Sequence, residues 1–195
     1  MSEQHNTDTS SVPELPSIGI IISGSDALAR KKTIESIEKQ TYDNHEILIN
    51  EDDSPCSFFN NLDKTHGVYC FVRAGDKFYD LSILTRAASR FSRDSLVGGI
   101  YFDCCIEDKD DLVNQILLPP YDTETFPNLL GMFPIFVNTS VCEQFSMDEN
   151  LSSLYNHNLL LKISSKYMII HDDSLAFSLH KYENDLSSDI AYLTS

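Results

Sequence analysis

Basic residues are scarce in this chain: 14 Lys and Arg stand against 30 Asp and Glu, a formal charge of −16. Such a surface repels a phosphate backbone or an anionic bilayer, so neither nucleic acid nor a membrane surface is expected as a partner. Long apolar runs are missing too, and none approaches the roughly 20 residues of a membrane span. No basic-then-apolar leader opens the chain; residues 1–14 are polar and are expected to form a disordered tail, with a cytoplasmic location. The five cysteines (Cys56, Cys70, Cys104, Cys105 and Cys142) have no metal-ligand spacing, and an odd number cannot all pair. Free thiols in a reducing compartment are the expectation. Cys104 and Cys105 lack both C-x-x-C spacing and basic neighbours, so a redox pair is not expected. There is no internal repeat and no sign of a second domain.

What is present is ordinary globular material: 195 residues, 42% apolar and 10% aromatic. A single domain over residues 15–195 would bury roughly 70% of its unfolded surface. The most informative stretch runs from Leu15 to Ser54. Ile18 and Ile20 to Ile22 form a β-branched run suited to a strand buried on both faces. Ser23-Gly24-Ser25 ends it, and Ser25 or Asp26 is placed to cap the next helix. In that helix Ala27, Ile34 and Ile37 fall at i, i+7 and i+10, which predicts an apolar face, with Arg30, Lys31, Lys32, Glu35, Glu38 and Lys39 pointing elsewhere. A second strand from Glu46 runs into Glu51, Asp52 and Asp53. A βαβ unit ending in carboxylates at the C-terminal edge of a parallel sheet is where α/β proteins place ligands.

These residues resemble the opening of the inverting family 2 glycosyltransferases. That pattern is roughly P-x-V-S-I-I-I-P-x-Y-N followed by S-I-x-x-Q-T-Y-x-N-x-E-I-I-V-V-D-D-G-S. Pro16, Ile18 and Ile20 to Ile22 match its first part; Ser36, Ile37, Gln40, Thr41, Tyr42, Asn44, Glu46, Ile47, Asp52 and Ser54 match its second. Gly67 to Asp76 (GVYCFVRAGD) resembles G-x-Y-I-x-F-L-D-x-D-D, and Tyr101 to Asp103 resembles Y-x-D. Further on, Phe145 to Leu151 resembles G-F-D-E-x-L, Asn156 to Lys162 lies where relatives carry D-Y-D-L-x-L-R, and His180 matches the histidine of R-x-H. The resemblance spans about residues 15–188. It implies an α/β domain of the GT-A fold, with a mostly parallel central sheet and helices on both faces. It also implies a nucleotide-sugar donor of the UDP type, a saccharide acceptor, and Mn²⁺ or Mg²⁺ in an active enzyme.

The remaining elements are expected as follows. A short helix lies around residues 57–64, in an interval where relatives carry a further strand and a longer helix. Asp80 caps a helix bearing Leu81, Leu84, Ala88 and Phe91, and Val97 to Asp103 forms a strand. Beyond Pro119 come a short strand at PIFVN, a helix at 140–145, and two closing strands at Tyr167 to Ile170 and Ser174 to Leu179.

The chemistry implied by the resemblance is altered. A transferase of this kind needs a nucleotide pocket, a metal held by D-x-D carboxylates, and a carboxylate base for the acceptor hydroxyl. For the pocket, Ser23, Ser25, Glu51, Asp52, Arg73 and Asp76 are the candidates; Glu51 to Asp53 read equally well as a solvated acidic loop. At the metal motif, Arg73 replaces the first aspartate, Gly75 stands at the third position and only Asp76 remains. A guanidinium about 5 Å from a divalent ion repels it by roughly 6–7 kcal/mol at an effective dielectric of 20. Arg73 either meets the diphosphate directly or pairs with Asp76 or Glu51. His180 is a weak metal candidate beside Asp76, its companion arginine being Ser178, and a structural role is the commoner one. The family base position is Asn156, whose amide accepts no proton, with Asp103 as the fallback. Two readings follow: a weak or inactive transferase-like protein, or a catalytically dead module that partners other glycosylation enzymes.

Overall fold

The computed structural model describes residues 14–51, 55–108, 111–122, 133–149 and 155–180. The tail expected over 1–14 lies outside the described residues except for residue 14, and Asp52 lies outside them altogether. The elements are β1 (Ile18–Ser23), α1 (Ala27–Ile37), β2 (His45–Asn50), α2 (Pro55–Asn60), β3 (Val68–Arg73), β4 (Lys77–Phe78) and α3 (Ile83–Arg93). They continue as β5 (Val97–Asp108), β6 (Asp111–Ile116), β7 (Ile135–Asn138), α4 (Thr139–Gln144), α5 (Tyr155–Ser164) and β8 (Met168–His180).

One sheet carries them in the order β2-β1-β3-β7-β5-β8-β4, with β6 added to β5. The pairs β1–β2, β1–β3 and β5–β8 are parallel and are the longest in the sheet; β7 and β4 run against their neighbours. The uninterrupted apolar runs become the strands β1 and β3, and Ile18, Ile20, Ile22, Val68 and Cys70 are fully buried. Helices lie on both faces. Arg86 of α3 sits over the Phe102 ring at 5.4 Å, whereas Leu160 of α5 lies 3.8 Å from where a Cβ on Gly99 would be. Residues 99 and 102 differ in parity along β5, so these helices cover opposite faces. Phe102, Phe136, Phe177 and Phe78 pack ring against ring on the α3 side.

The structure corrects several expectations. The buried side of α1 is Ala29, Thr33, Ser36 and Ile37, while Ala27 is exposed and Ile34 only half-buried. The apolar periodicity misleads because α1 rests on loop backbone, which needs hydrogen-bonding side chains beneath it. The short helix begins at Pro55 and ends at Asn60, and Lys64 beyond it takes a left-handed φ of 55°. The two expected closing strands are one, β8, with its register against β5 shifted near Asp103 where Asp173 and Ser174 are extra. Asp80 does not cap α3 from the N-cap position; it sits two residues earlier and accepts from the Ser82 N–H and hydroxyl. Leu81 is 50% exposed and contributes nothing to the α3 face. Strands β4 and β6, with the second half of β5, carried no legible pattern.

Candidate functional site

Strand ends β1, β2 and β3 align at one edge, since Ser23 is in register with both Asn50 and Arg73. The Asn50 amide donates to Ser23 Oγ at 3.5 Å, and the Ala74 N–H donates to the Ser23 carbonyl at 2.8 Å. Gly24 turns the chain with φ +124°, and a side chain there would stand 3.1 Å from the Ala74 methyl. Asp26 is the N-cap of α1: its Oδ1 accepts from the N–H groups of Leu28 and Ala29, and these bonds hold its carboxyl below the usual range.

Arg30, which the periodicity placed off the apolar face of α1, closes this edge. Its Nη2 donates to the Gly24 carbonyl at 3.1 Å and its Nη1 lies 3.4 Å from Glu51, tying the β1–α1 turn to the end of β2. A cation near the first turn of a helix opposes the helix dipole. That mismatch was the one signal in the sequence that Arg30 has other business. Glu51 is 80% exposed and Ser25 is exposed, so the edge faces solvent there.

The underside of α1 holds the segment from Arg73 to Leu81, which includes Asp76. Thr33 Oγ1 accepts from the Gly75 N–H at 2.8 Å, Ser36 Oγ accepts from the Phe78 N–H at 3.0 Å, and Gln40 donates to the Asp80 carbonyl at 2.9 Å. Thr41 bonds the Leu81 carbonyl through both its N–H and its hydroxyl, and the Tyr42 hydroxyl donates to the Pro16 carbonyl. The most specific part of the sequence resemblance, Ser36 to Tyr42, therefore acts by fixing backbone.

Asp76 sits at the centre of that segment and is 1% exposed. Its Oδ1 accepts from the His180 N–H at 2.9 Å, its Oδ2 from the Arg73 N–H at 3.4 Å, and the Arg73 Nε lies 3.7 Å away. Burial pushes its carboxyl up, opposed by the Arg73 charge and the two N–H bonds. Gly75 has φ +99°, and the His180 side chain lies 2.9 Å from the place a Cβ would take. These residues do not fit a divalent ion: the carboxylate is turned inward, committed to two N–H donors, and faced by a guanidinium. Among the described residues no group of three His, Cys, Asp or Glu side chains is arranged to hold a metal. Arg73 pairs with Asp76 through Nε at 3.7 Å. Ser178, in place of the companion arginine, is buried and donates to Glu107, which also binds Lys77 at 2.5 Å.

Asp103 is 2% exposed, and its Oδ1 accepts from the Leu118 N–H at 2.8 Å and lies 2.8 Å from His171 Nε2. The His171 ring stacks on Tyr101 at 4.9 Å and 17°, and the Tyr101 hydroxyl donates to the Pro119 carbonyl. Asp103 is thus no open carboxylate, and His171, which sequence reasoning missed, covers it. Asn156 falls in the first turn of α5, with its side chain outside the described residues. The five cysteines are buried as thiols, and burial pushes Cys142 up to about 12 and Cys70 and Cys104 well above the usual thiol range. A cleft of about 460 Å³ opens at the other end of these strands, beside Glu46, Leu48, Phe58 and His66, and includes none of the candidate residues.

No protein-family model matches the chain, and no curated protein sequence does. Solved structures do. S. aureus TarS 1-349 in complex with UDP-GlcNAc superposes with a TM-score of 0.64 at 12% identity, over 88% of this chain and 60% of that one. The longer S. aureus TarS structure gives 0.64 at 10% identity, over 91% of this chain and 39% of the other. The mannosyltransferase PcManGT from Pyrobaculum calidifontis, in complex with GDP-Man and Mn²⁺, gives 0.61 at 12% identity, over 90% and 60%. The fold is the GT-A glycosyltransferase fold. The chain spans about 60% or less of the length of these structures. Among the described residues no helix is long and apolar enough to cross a membrane.

Proposed function

We propose that this chain is a glycosyltransferase-like domain of the family 2 type. It takes a nucleotide sugar, with a UDP-type donor expected, at the ends of β1, β2 and β3, and transfers weakly or not at all to a saccharide acceptor. The observation that carries this reading is Asp76, sealed under Arg73 and His180 where the fold's metal carboxylate is expected. A diphosphate approaching this edge meets guanidinium charge from Arg73, with Arg30 holding the turn beneath it. Arginine suits that task because its planar fork matches phosphate oxygens and carries its charge at every working pH. The same sealed carboxylate favours a second reading, a non-catalytic module that partners other glycosylation enzymes, in which the pocket is empty scaffold.

Calorimetric titration with UDP and UDP-GlcNAc, in Mn²⁺ and in EDTA, separates the possibilities. Binding of similar affinity in both buffers is expected, with Arg73→Ala weakening it at least 10-fold. Affinity that depends on Mn²⁺ overturns the metal-free reading. No heat with either ligand leaves the assembly module as the function.

A further inference from the structure

Successive register partners place four residues in one row across the sheet: Phe71 on β3, Ile135 on β7, Tyr101 on β5 and His171 on β8. Partners in register share a face, so Arg73 and Asp103, each two residues further along its strand, lie level on that face. One strand separates β3 from β5, which sets the two backbones about 10 Å apart. Leu160 of α5 lies over Gly99, which pairs with Ile169 one step earlier in the same ladder. Four helical residues advance about 6 Å, as do two strand residues. The first turn of α5 therefore stands over the level of Tyr101 and His171. A donor diphosphate at Arg73 and an acceptor beneath the start of α5 would meet within one sugar's length of His171.

We infer that His171, oriented by Asp103, is the general base of this site, the proposal resting on the nucleotide-sugar reading given above. A carboxylate oxygen of Asp103 2.8 Å from Nε2 favours the tautomer with the proton on Nε2, which leaves the lone pair on Nδ1. Tyr101 holds the ring plane by stacking, and its own hydroxyl is fixed by Pro119. Burial also raises the Tyr101 hydroxyl far above its ordinary value, so it brings no charge to the ring. The adjacent carboxylate on β8, Asp172, is engaged by Arg86 and Ser174, leaving Asp103 as the anion bonded to the imidazole. In the transfer step the acceptor oxygen gives its proton to Nδ1 and its electron pair to the anomeric carbon. The bond from that carbon to the β-phosphate oxygen breaks, and its electron pair leaves with the nucleoside diphosphate. Asp103 stabilises the imidazolium that results. Asp103 alone would not serve, because it is buried behind the ring and committed to Leu118.

The test uses the full chain in EDTA with UDP-GlcNAc, water serving as acceptor, and follows UDP release from pH 5 to 9 beside calorimetric UDP binding. Release is expected to rise with pH to a plateau. His171→Gln should lower it at least 100-fold, the scale of a lost general base, with UDP affinity and thermal midpoint unchanged. Asp103→Asn should lower kcat with KM retained and move the pH midpoint, which a merely structural role would not do. Equal rates for His171→Gln and the unaltered chain overturn the proposal, as does a chain that binds UDP-GlcNAc yet releases no UDP. Failure to bind UDP at all overturns the nucleotide reading and this proposal with it.

Discussion

Thr33 and Ser36 each accept a backbone N–H from the segment after β3, and neither N–H has solvent to turn to. Thr33→Val keeps the volume and removes the acceptor, so it should destabilise the fold by about 1–3 kcal/mol in urea unfolding, as should Ser36→Ala; Thr33→Ser should recover most of the loss. Asp76 responds to pH in a direction fixed by its burial. Its folded value lies above the ordinary 3.8, so the folded state holds that proton more tightly than the unfolded chain does. Its favourable contribution is complete below 3.8 and is lost as pH rises through the folded value. Asp76→Asn should flatten that part of the stability–pH curve, read from thermal midpoints between pH 3 and 7. Some of this was legible in sequence and some was not. The Ser-Gly-Ser-Asp run announces a cap at Ser25 or Asp26, and Asp26 is the one that forms it; Arg73, standing where a carboxylate was expected, drew attention to the segment that Asp76 occupies. His171 carried no motif, because its role depends on a strand pairing that brings residues 103 and 171 together across 68 positions.

Among the elements, α1 and α3 show opposite relations between pattern and packing. The α3 face is apolar at helical spacing, with Leu84, Ala88 and Phe91 buried, and was readable. The α1 face mixes Thr33 and Ser36 with Ala29 and Ile37 because it serves a loop, and apolar periodicity, which found Ile37, cannot report the half whose partners are peptide groups. Arg86 ties α3 to Asp80 in the loop before it at 2.8 Å and to Asp172 on β8 at 2.5 Å. Burial pushes the Asp172 carboxyl up, yet the Ser174 bonds and the Arg86 charge outweigh it and hold it below 3.8. A lowered value stabilises above 3.8 and fades as pH falls through the folded value. Arg86→Met should therefore cost about 2–3 kcal/mol near neutral pH, where Asp80 loses its cation and Asp172 keeps only Arg90 at 4.0 Å. The difference from the unaltered chain should shrink on acidification, measured as unfolding midpoints at pH 7 and pH 3.

At the scale of the molecule, the charge of −16 acts on everything at once. Self-repulsion between surface carboxylates opposes the compact state and is screened by salt within about 10 Å at 0.1 M. Raising NaCl from 10 mM to 300 mM should lift the thermal midpoint; each 1 kcal/mol relieved corresponds to about 2–4 °C for a chain of this size. A falling midpoint would mean that local pairs such as Arg86 with Asp172 outweigh the global repulsion. The seam beneath α1 has a different consequence. It is closed by Thr33, Ser36, Gln40 and Thr41 against peptide groups, where most of the interior is closed by hydrocarbon. Exposing polar surface lowers heat capacity, and exposing apolar surface raises it. Opening of the α1 seam, which exposes Thr33 and Ser36 along with Ala29 and Ile37, should therefore follow a flatter dome with temperature than unfolding of the sheet. On cooling the hydrocarbon loses its grip and the seam keeps more of its own, so the part of the chain that shapes the candidate site should be the last to loosen in the cold.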